Sequence, residues 1–595
     1  MITTNSNDLE SLGKKKSPSL LECSSNHSLL IYSLTALLSL IVYFYGLGSD
    51  HLATNGDELL YAQIARATAQ SGHWLPLQSP IARLENTKPP LLFWQGILST
   101  SGTKDWTLFN LRWPSVLYTL LIAFLLGVSG MKITHRRETG LLAALLFLSF
   151  FGIFRYGRCF LTSAPEIFWL SLPCFFFLLW PERRSSSWRV FLSLGILLGI
   201  GLLYKSFTLV APPLLTLCWW FLQEQSNHFS KTTIISLSKI ALLGGSALVV
   251  FSLWFVLDPH PQSIFKHFVL KENLGKFDAG ESHYLINFFF GNSSIWRNVI
   301  AYPLNAGLLA PALVTLFFLG WRERSSWREQ ERELWIWVIA IFLVFSLPNQ
   351  RDERYLLLGM PALALLLAFS WEKIPRWVFM LSLLAVIIIA MGLGGLALLL
   401  EHYLANPSWS NYHYPLSYWI ILTITIVCGF LGLLEPSWTR LSVLPAIMLL
   451  YLCYACFLWP FDGPLGHFDE AAKKLATQKR LWVPVNFNAR EESYRFLLPG
   501  AQTLIPYDYQ ANLTIEQMQK RVPRFIISLP LEDCSGENLQ HGTLLGRRLN
   551  LIDRFNAQET KAMMLGNIAP YLFHQDLLIE EGTSSPSLPD LKSHR

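Results

Sequence analysis

The chain has 595 residues and a formal net charge of +6; 52% of its residues are apolar and 15% are charged. That balance lies outside the range of soluble globular chains, in which about a quarter of residues carry charge. Apolar runs of roughly 15 to 25 residues, long enough to cross the hydrocarbon layer, recur between residues 29 and 459, and about thirteen can be counted. A mainly α, polytopic membrane protein is therefore predicted.

Spans are expected to begin near Leu29, Leu108, Gly140, Phe160, Arg189, Phe207, Ile235, Ala301, Leu334, Tyr355, Arg376, Leu416 and Leu441. Lys14, Lys15 and Lys16 precede the first, Lys132, Arg136 and Arg137 follow the second, and Arg183, Arg184 and Arg189 lie between the fourth and fifth. Short basic loops stay on the cytoplasmic face during insertion. Residues 1–28 are thus a cytoplasmic tail, disordered up to Ser25, and the breaks at 322–332 and 373–376 fall on the same side. The first apolar run has the basic flank of a signal peptide. It is long enough to span, however, and residues 46–53 offer no good cleavage site, so it reads as an uncleaved helix.

Two breaks are long, residues 48–107 and 258–300, and both fall on the outer side. In the first, Asn55-Gly56-Asp57-Glu58 precedes an apolar-periodic stretch containing Leu59, Leu60, Ile64 and Ala65 that ends at Ser71-Gly72. This predicts a helix lying along the membrane surface, with Asn55 as N-cap and Gly72 at C′. Acids at a helix start need no function, so Asp57 and Glu58 have a structural reading beside a chemical one. Further on, Pro89 and Pro90 stiffen the chain after Lys88. That lysine reads either as a snorkelling side chain or as a cation held at the interface for a lipid phosphate.

Arg351 and Arg354 sit in a short break at residues 348–353, against the usual charge rule, and an ion pair with Asp352 or Glu353 would account for them locally. Cys159, Cys174, Cys218, Cys428, Cys453 and Cys456 lie in or beside apolar runs, and Cys534 stands in the tail; they imply packing rather than a disulfide framework. Residues 461–579 read as a small extracytoplasmic α/β domain, with strand-length runs at 481–486, 502–505 and 524–529 and a helix at 469–479. Residues 580–595 are rich in Ser, Pro and charge and read as disordered.

The series Asp57-Glu58-x-x-Tyr61-Ala62, Ser71-Gly72-x-Trp74, Lys88-Pro89-Pro90-x-x-x-Trp94 and Arg112-x-Pro114-Ser115 resembles the polyprenyl-phosphate-dependent GT-C glycosyltransferases. The similarity is to the branch that contains the bacterial lipid A aminoarabinose transferases and the protein O-mannosyltransferase-like proteins. It continues through Arg158, Lys205, Glu272-Asn273, His283 and Arg354-Tyr355-Leu356-Leu357, covering roughly residues 49–366. The resemblance implies a GT-C transmembrane catalytic domain over residues 29–460 in the bacterial inner membrane, with its site on the outer face. It also implies sugar transfer, with inversion, from a polyprenyl-phosphate donor to lipid A, a protein or a surface polysaccharide; no nucleic-acid partner is expected.

By the same resemblance, Asp57 is the candidate base for an acceptor hydroxyl, with Glu58 beside it. Lys88, Arg158, Lys205 and Arg354 are candidate partners of the donor phosphate, and Tyr61 and Tyr355 complete the substrate-binding set. Two departures stand out. The acid common in the family's fourth span is replaced by Ser163, and Glu166, three residues on, is the candidate substitute. The loop lysine is preceded by Thr87 rather than by a Glu, which leaves Glu85 and His283 as weak candidate metal ligands without a spacing signature. No metal or other cofactor is called for by a motif. A flippase for a lipid-linked saccharide shares many of these features, but would carry paired repeats and broken helices near mid-membrane. A third reading, the tail as a binding module on a membrane anchor, does not need so many spans.

Overall fold

A computed structural model describes residues 20–49, 56–79, 88–223, 231–273, 275, 288–291, 293–404 and 412–462. It also describes 468, 470, 473–474, 480–485, 491–498, 504–508, 522, 524–530, 543–549, 557–565, 571 and 573–580. Residues 1–19 and 581–595 of the two expected disordered tails, the expected cap Asn55, the metal candidates Glu85 and His283, and most of the expected helix at 469–479 lie outside these residues; Leu20–Ser25, expected to be disordered, are helical because the helix of the first span extends back through them, and Glu580 ends a strand.

Helices dominate. α1 (Leu20–Phe44) is followed by α2 (Gly56–Gln70), α3 (Leu91–Ser99), α4 (Leu108–Thr134), α5 (Arg137–Ser149), α6 (Phe151–Tyr156) and α7 (Ser163–Leu179). Then come α8 (Trp188–Leu202), α9 (Ala211–Gln223), α10 (Lys231–Leu257), a π-helical segment (Phe265–Asn273), α11 (Ile295–Ala306), α12 (Ala310–Arg322), α13 (Glu329–Ser346) and α14 (Met360–Ser370). α15 (Arg376–Leu404), α16 (Leu416–Leu434) and α17 (Thr439–Asp462) complete the bundle. Among the described residues, 8 segments are long and apolar enough to cross a membrane, and α7, α8 and the segment 207–223 are shorter apolar helices. The stretch expected to start near Ala301 is two helices, α11 and α12, separated by a 3-10 turn at Gly307–Leu309.

Lipid contact explains why so much apolar surface stays outside: Leu30, Leu34 and Leu37 on α1, Val249 and Val256 on α10, and Leu398 and Leu399 on α15 are all exposed. Because lipid tails are as apolar as leucine, helices associate through close packing of small residues. α4 and α5 do so at Gly140, where a Cβ would lie 2.3 Å from the Gly127 carbonyl oxygen; any larger residue would force the pair apart.

Polar contacts sort the breaks into two groups. At one end Arg184 meets Glu333 at 2.5 Å, Lys373 meets Glu323 at 2.7 Å and Ser28 donates to Glu138 at 2.5 Å. At the other, Lys88 meets Glu272, Asp57 meets Arg354, and Arg66 meets Glu492. The first group joins the breaks expected to be cytoplasmic; the second joins the outer loops with each other and with the C-terminal region. The charge rule and the tertiary contacts therefore give the same partition.

The C-terminal region is a five-stranded mixed sheet of β1 (Leu481–Val485), β2 (Leu504–Asp508), β3 (Arg524–Pro530), β4 (Thr543–Leu549) and β5 (Phe573–Glu580), in the order β2-β1-β3-β5-β4. β1 runs parallel to β2 and β3, and β5 is antiparallel to β3 and β4. Alternation places Ile526 and Leu578 in one small core and Phe525, Ile527, Leu577 and Ile579 in another, so both faces of the sheet are covered. The three strands expected from sequence are present. β4 and β5 were missed; the arginines and the Gln575-Asp576 pair within them break the apolar signal.

Candidate functional site

α2 lies outside the candidate spans and carries Asp57 and Glu58 in its first turn, where acids favour the positive helix end. Its expected C-terminus holds: Gly72 follows at φ +76°, the left-handed conformation that favours glycine. Neighbouring residues on a helix point about 100° apart, and this separates the two acids. The Glu58 side chain is 0% exposed; its oxygens accept from Arg112 Nε (2.7 Å), Arg112 Nη2 (2.9 Å) and the Phe160 N–H (2.8 Å). Arg112 also donates to the carbonyls of Leu47 and Ser49, so this pair ties α2 to α4 and to the end of the first span. The Asp57 side chain is 44% exposed, with Oδ2 3.3 Å from Arg354 Nη1.

Arg354 comes from a 3-10 segment, Glu353–Gly359, whose start is capped by Asp352 accepting from the Arg354 N–H at 2.9 Å. The guanidinium lies 3.4 Å from Asp352 and over the Tyr156 ring. The local pairing that sequence allowed for Arg354 is thus present, and it aims the side chain at Asp57. Arg351 instead donates to the Ser346 carbonyl at the end of α13 and covers the Phe288 ring, while Glu353 pairs with Arg297.

Lys205 follows α8, its Nζ 2.9 Å from Glu166 Oε2 and 4.9 Å from the centre of the Tyr355 ring. Burial lowers the Lys205 pKa; Glu166 opposes this, and Arg354 and Lys88 add to it. Burial likewise raises the Tyr61 phenol well above its usual range, Asp57 adding, Arg354 opposing, and Glu272 and Glu166 adding. Three contact groups, Lys88–Glu272, Lys205–Glu166–Tyr355 and Asp57–Arg354, thus act on one another's charge; they are assembled from α2, the entry to α3, α7, the break after α8, the π-helical segment and the segment before α14. Glu166 Oε1 is buried with no hydrogen-bond partner among the described residues. An unfilled acceptor of this kind calls for a donor from a ligand or a water.

Comparison with known proteins bears on the fold that carries this cluster. A family model described as "Dolichyl-phosphate-mannose-protein mannosyltransferase" matches residues 29–265. An undecaprenyl phosphate-alpha-4-amino-4-deoxy-L-arabinose arabinosyl transferase of Yersinia enterocolitica is 28% identical over 341 residues, 56% of this chain and 58% of that protein. A second such enzyme, from Proteus mirabilis, is 26% identical over 339 residues with the same coverage. The chain thus spans somewhat over half the length of these relatives. The crystal structure of ArnT from Cupriavidus metallidurans bound to undecaprenyl phosphate superposes with a TM-score of 0.59 at 16% identity, covering 93% of this chain and 99% of that one. The chain has the GT-C fold. Its apo counterpart gives a TM-score of 0.56 over the same coverage.

Within the GT-C fold two of the sequence candidates lie in structural roles. Arg158 is buried and donates to the carbonyls of Tyr43 (3.3 Å) and Tyr45 (2.6 Å) while covering the Phe154 ring; it caps the end of α1, where carbonyls lack helical partners. Glu58 is the anchor described above. Glu272, Tyr156 and Asp352 belong to the cluster but were not singled out as site residues. The sequence signal for Glu272 was its place in the family series; Tyr156 had none. Lys88 Nζ lies 2.5 Å from Glu272 Oε1. Asn273 holds that segment, accepting from Ser206 Oγ at 2.6 Å and donating to the Phe268 carbonyl at 2.8 Å. No group of three metal-binding side chains occurs among the described residues.

Proposed function

We propose that this chain is an integral-membrane glycosyltransferase that moves a sugar from a polyprenyl-phosphate donor to an acceptor on the outer side of a bacterial inner membrane, with inversion. The observation that carries the reading is that Lys88, Lys205 and Arg354, held by Glu272, Glu166 and the accessible Asp57 respectively, lie close enough for Arg354 and Lys88 to act on Lys205. Fixed cations at a membrane surface match a lipid phosphate, whose charge grows as the glycosidic bond breaks.

In the transfer, an acceptor oxygen attacks the anomeric carbon opposite the phosphate, the carbon to phosphate-oxygen bond breaks, and polyprenyl phosphate leaves. Asp57 takes the proton of an acceptor hydroxyl; where the acceptor is an ionised phosphate it positions the acceptor or stabilises positive charge on the sugar instead. Lys88, Lys205 and Arg354 hold the leaving phosphate, with Tyr355 beneath Lys205 and Tyr61 closing the site near Asp57. Glu166 Oε1 accepts from a hydroxyl or amino group of the donor sugar, which takes up the role left open by Ser163. Glu58 and Arg158 act as positioning residues, through α2 and α1 respectively. Lipid A, a protein or a surface polysaccharide fits as acceptor. The mass shift on extracted lipid A, and separately on envelope proteins, between cells with and without this chain distinguishes among them.

Lys88→Ala is expected to weaken donor use by the equivalent of roughly 1.5 to 3 kcal/mol, the usual worth of a hydrogen bond to a charged group. Lys88→Arg retains part of it, because the charge stays while the shape changes. The check is donor KM and kcat for purified protein with a synthetic polyprenyl-phosphate sugar; parental values in folded Lys88→Ala would take this residue out of the site. For sidedness, reporter fusions after Arg137, Arg184 and Arg328 are expected to report cytoplasm, and fusions at Thr87 or Glu516 the outer compartment. A cytoplasmic signal at Glu516 would overturn the orientation.

A further inference from the structure

Between α2 and the C-terminal sheet lies a cavity of about 470 Å³, within the range of small-molecule sites. From α2 it is lined by Gln63, Arg66, Ala67 and Gln70, a stripe at helical spacing roughly on the other side of the helix from Asp57. Arg495 faces it from the helix Glu491–Leu497, and Val483 of β1 and Leu504 of β2 supply apolar floor. Gln78 and Ser79 add further polar wall. The cavity is built rather than incidental. Arg66 is clamped on Glu492 through Nε and Nη2, both at 2.8 Å, and Trp106 Nε1 donates to the same carboxylate at 3.2 Å. Trp106 also stacks on Phe496.

The wall chemistry selects a ligand class. Two guanidinium groups, Arg66 and Arg495, share one carboxylate, Glu492, which leaves a net positive charge. Side-chain amides and the hydroxyls of Ser71 and Ser79 both donate and accept, as sugar hydroxyls do, and guanidinium groups suit a phosphate. We propose that this cavity binds a phosphorylated saccharide, held by α2 and the C-terminal domain together. As the headgroup of a lipid-linked acceptor it would couple acceptor recognition to the helix that carries Asp57; that source, unlike the binding itself, rests on the glycosyltransferase reading. A free sugar phosphate has the same chemistry.

The test uses the full chain in detergent with glucose 6-phosphate, glucose and inorganic phosphate as probes, titrated by ligand-observed NMR. Glucose 6-phosphate is expected to bind most tightly. Arg495→Gln removes the net charge while keeping the Arg66–Glu492 clamp, and should weaken binding by roughly tenfold. Ala67→Leu fills the cavity from a helix position that tolerates leucine and should weaken it comparably, with an unfolding midpoint equal to the parent's. Lys88→Ala should leave it unchanged, which separates this cavity from the catalytic cluster. No binding by the parent chain, or equal binding by parent, Arg495→Gln and Ala67→Leu, overturns the proposal. A higher acceptor KM in Ala67→Leu at constant donor KM assigns the cavity to the acceptor headgroup; weakened binding with unchanged kinetics assigns it to a free sugar phosphate. If the parent shows no transferase activity at all, the binding arm still decides.

Discussion

Asp57→Asn is expected to reduce sugar transfer by roughly a hundredfold or more, the usual scale for loss of a general base, while leaving the protein folded and the donor bound. Asparagine keeps the size of aspartate and is tolerated at a helix start. The carboxylate is half exposed and its contact with Arg354 is a partly hydrated pair at 3.3 Å, so little stability depends on it. Lys88, Lys205 and Arg354 remain to hold a phosphate. The measurement is kcat and donor Kd for purified parent and variant with an acceptor whose nucleophile is a hydroxyl. A helix-capping role alone forecasts nearly full activity, and transfer at the parental rate would remove Asp57 as the base.

Substitution at the next residue should fail differently. Glu58→Leu strands the Arg112 guanidinium in a site where its side chain is 1% exposed, and breaking a buried pair from one side costs roughly 3 to 5 kcal/mol. The expected result is a large drop in folded yield and unfolding temperature, with donor and acceptor KM of the surviving folded fraction near those of the parent. Glu58→Gln should fall between, since the amide oxygen still accepts from Arg112 or Phe160. Replacing both partners, Glu58→Leu with Arg112→Leu, should cost less than the sum of the two single changes. A stable Glu58→Leu that loses only turnover would return Glu58 to the catalytic set.

Features that depend on composition and short-range order were legible along the chain. Apolar runs specify membrane helices because lipid offers the backbone no hydrogen-bond partners. Basic loops specify sides, and the partition of Arg184, Lys373 and Glu138 from Lys88, Asp57 and Arg66 follows that assignment. The amphipathic helix after Gly56 and its stop at Gly72 were legible in the same way, as were β1, β2 and β3. The motif series brought the right segments to notice, because each carries a cation or acid at a span boundary, where lipid tolerates charge only for a reason.

Which charges face one another depends instead on how distant segments pack. Asp57 and Glu58 are adjacent in sequence and equivalent in composition; the helical turn between them sends one to Arg354 and the other into a buried clamp with Arg112. Arg158 and Lys205 looked alike as cations beside spans, yet one satisfies the carbonyls at the end of α1 while the other meets Glu166. Nothing local to Arg66 or Glu492, 426 residues apart, announces that they hold the C-terminal domain against α2. Pairings across such separations are fixed by how helices and sheet pack, and packing is a property of the whole chain rather than of any window along it.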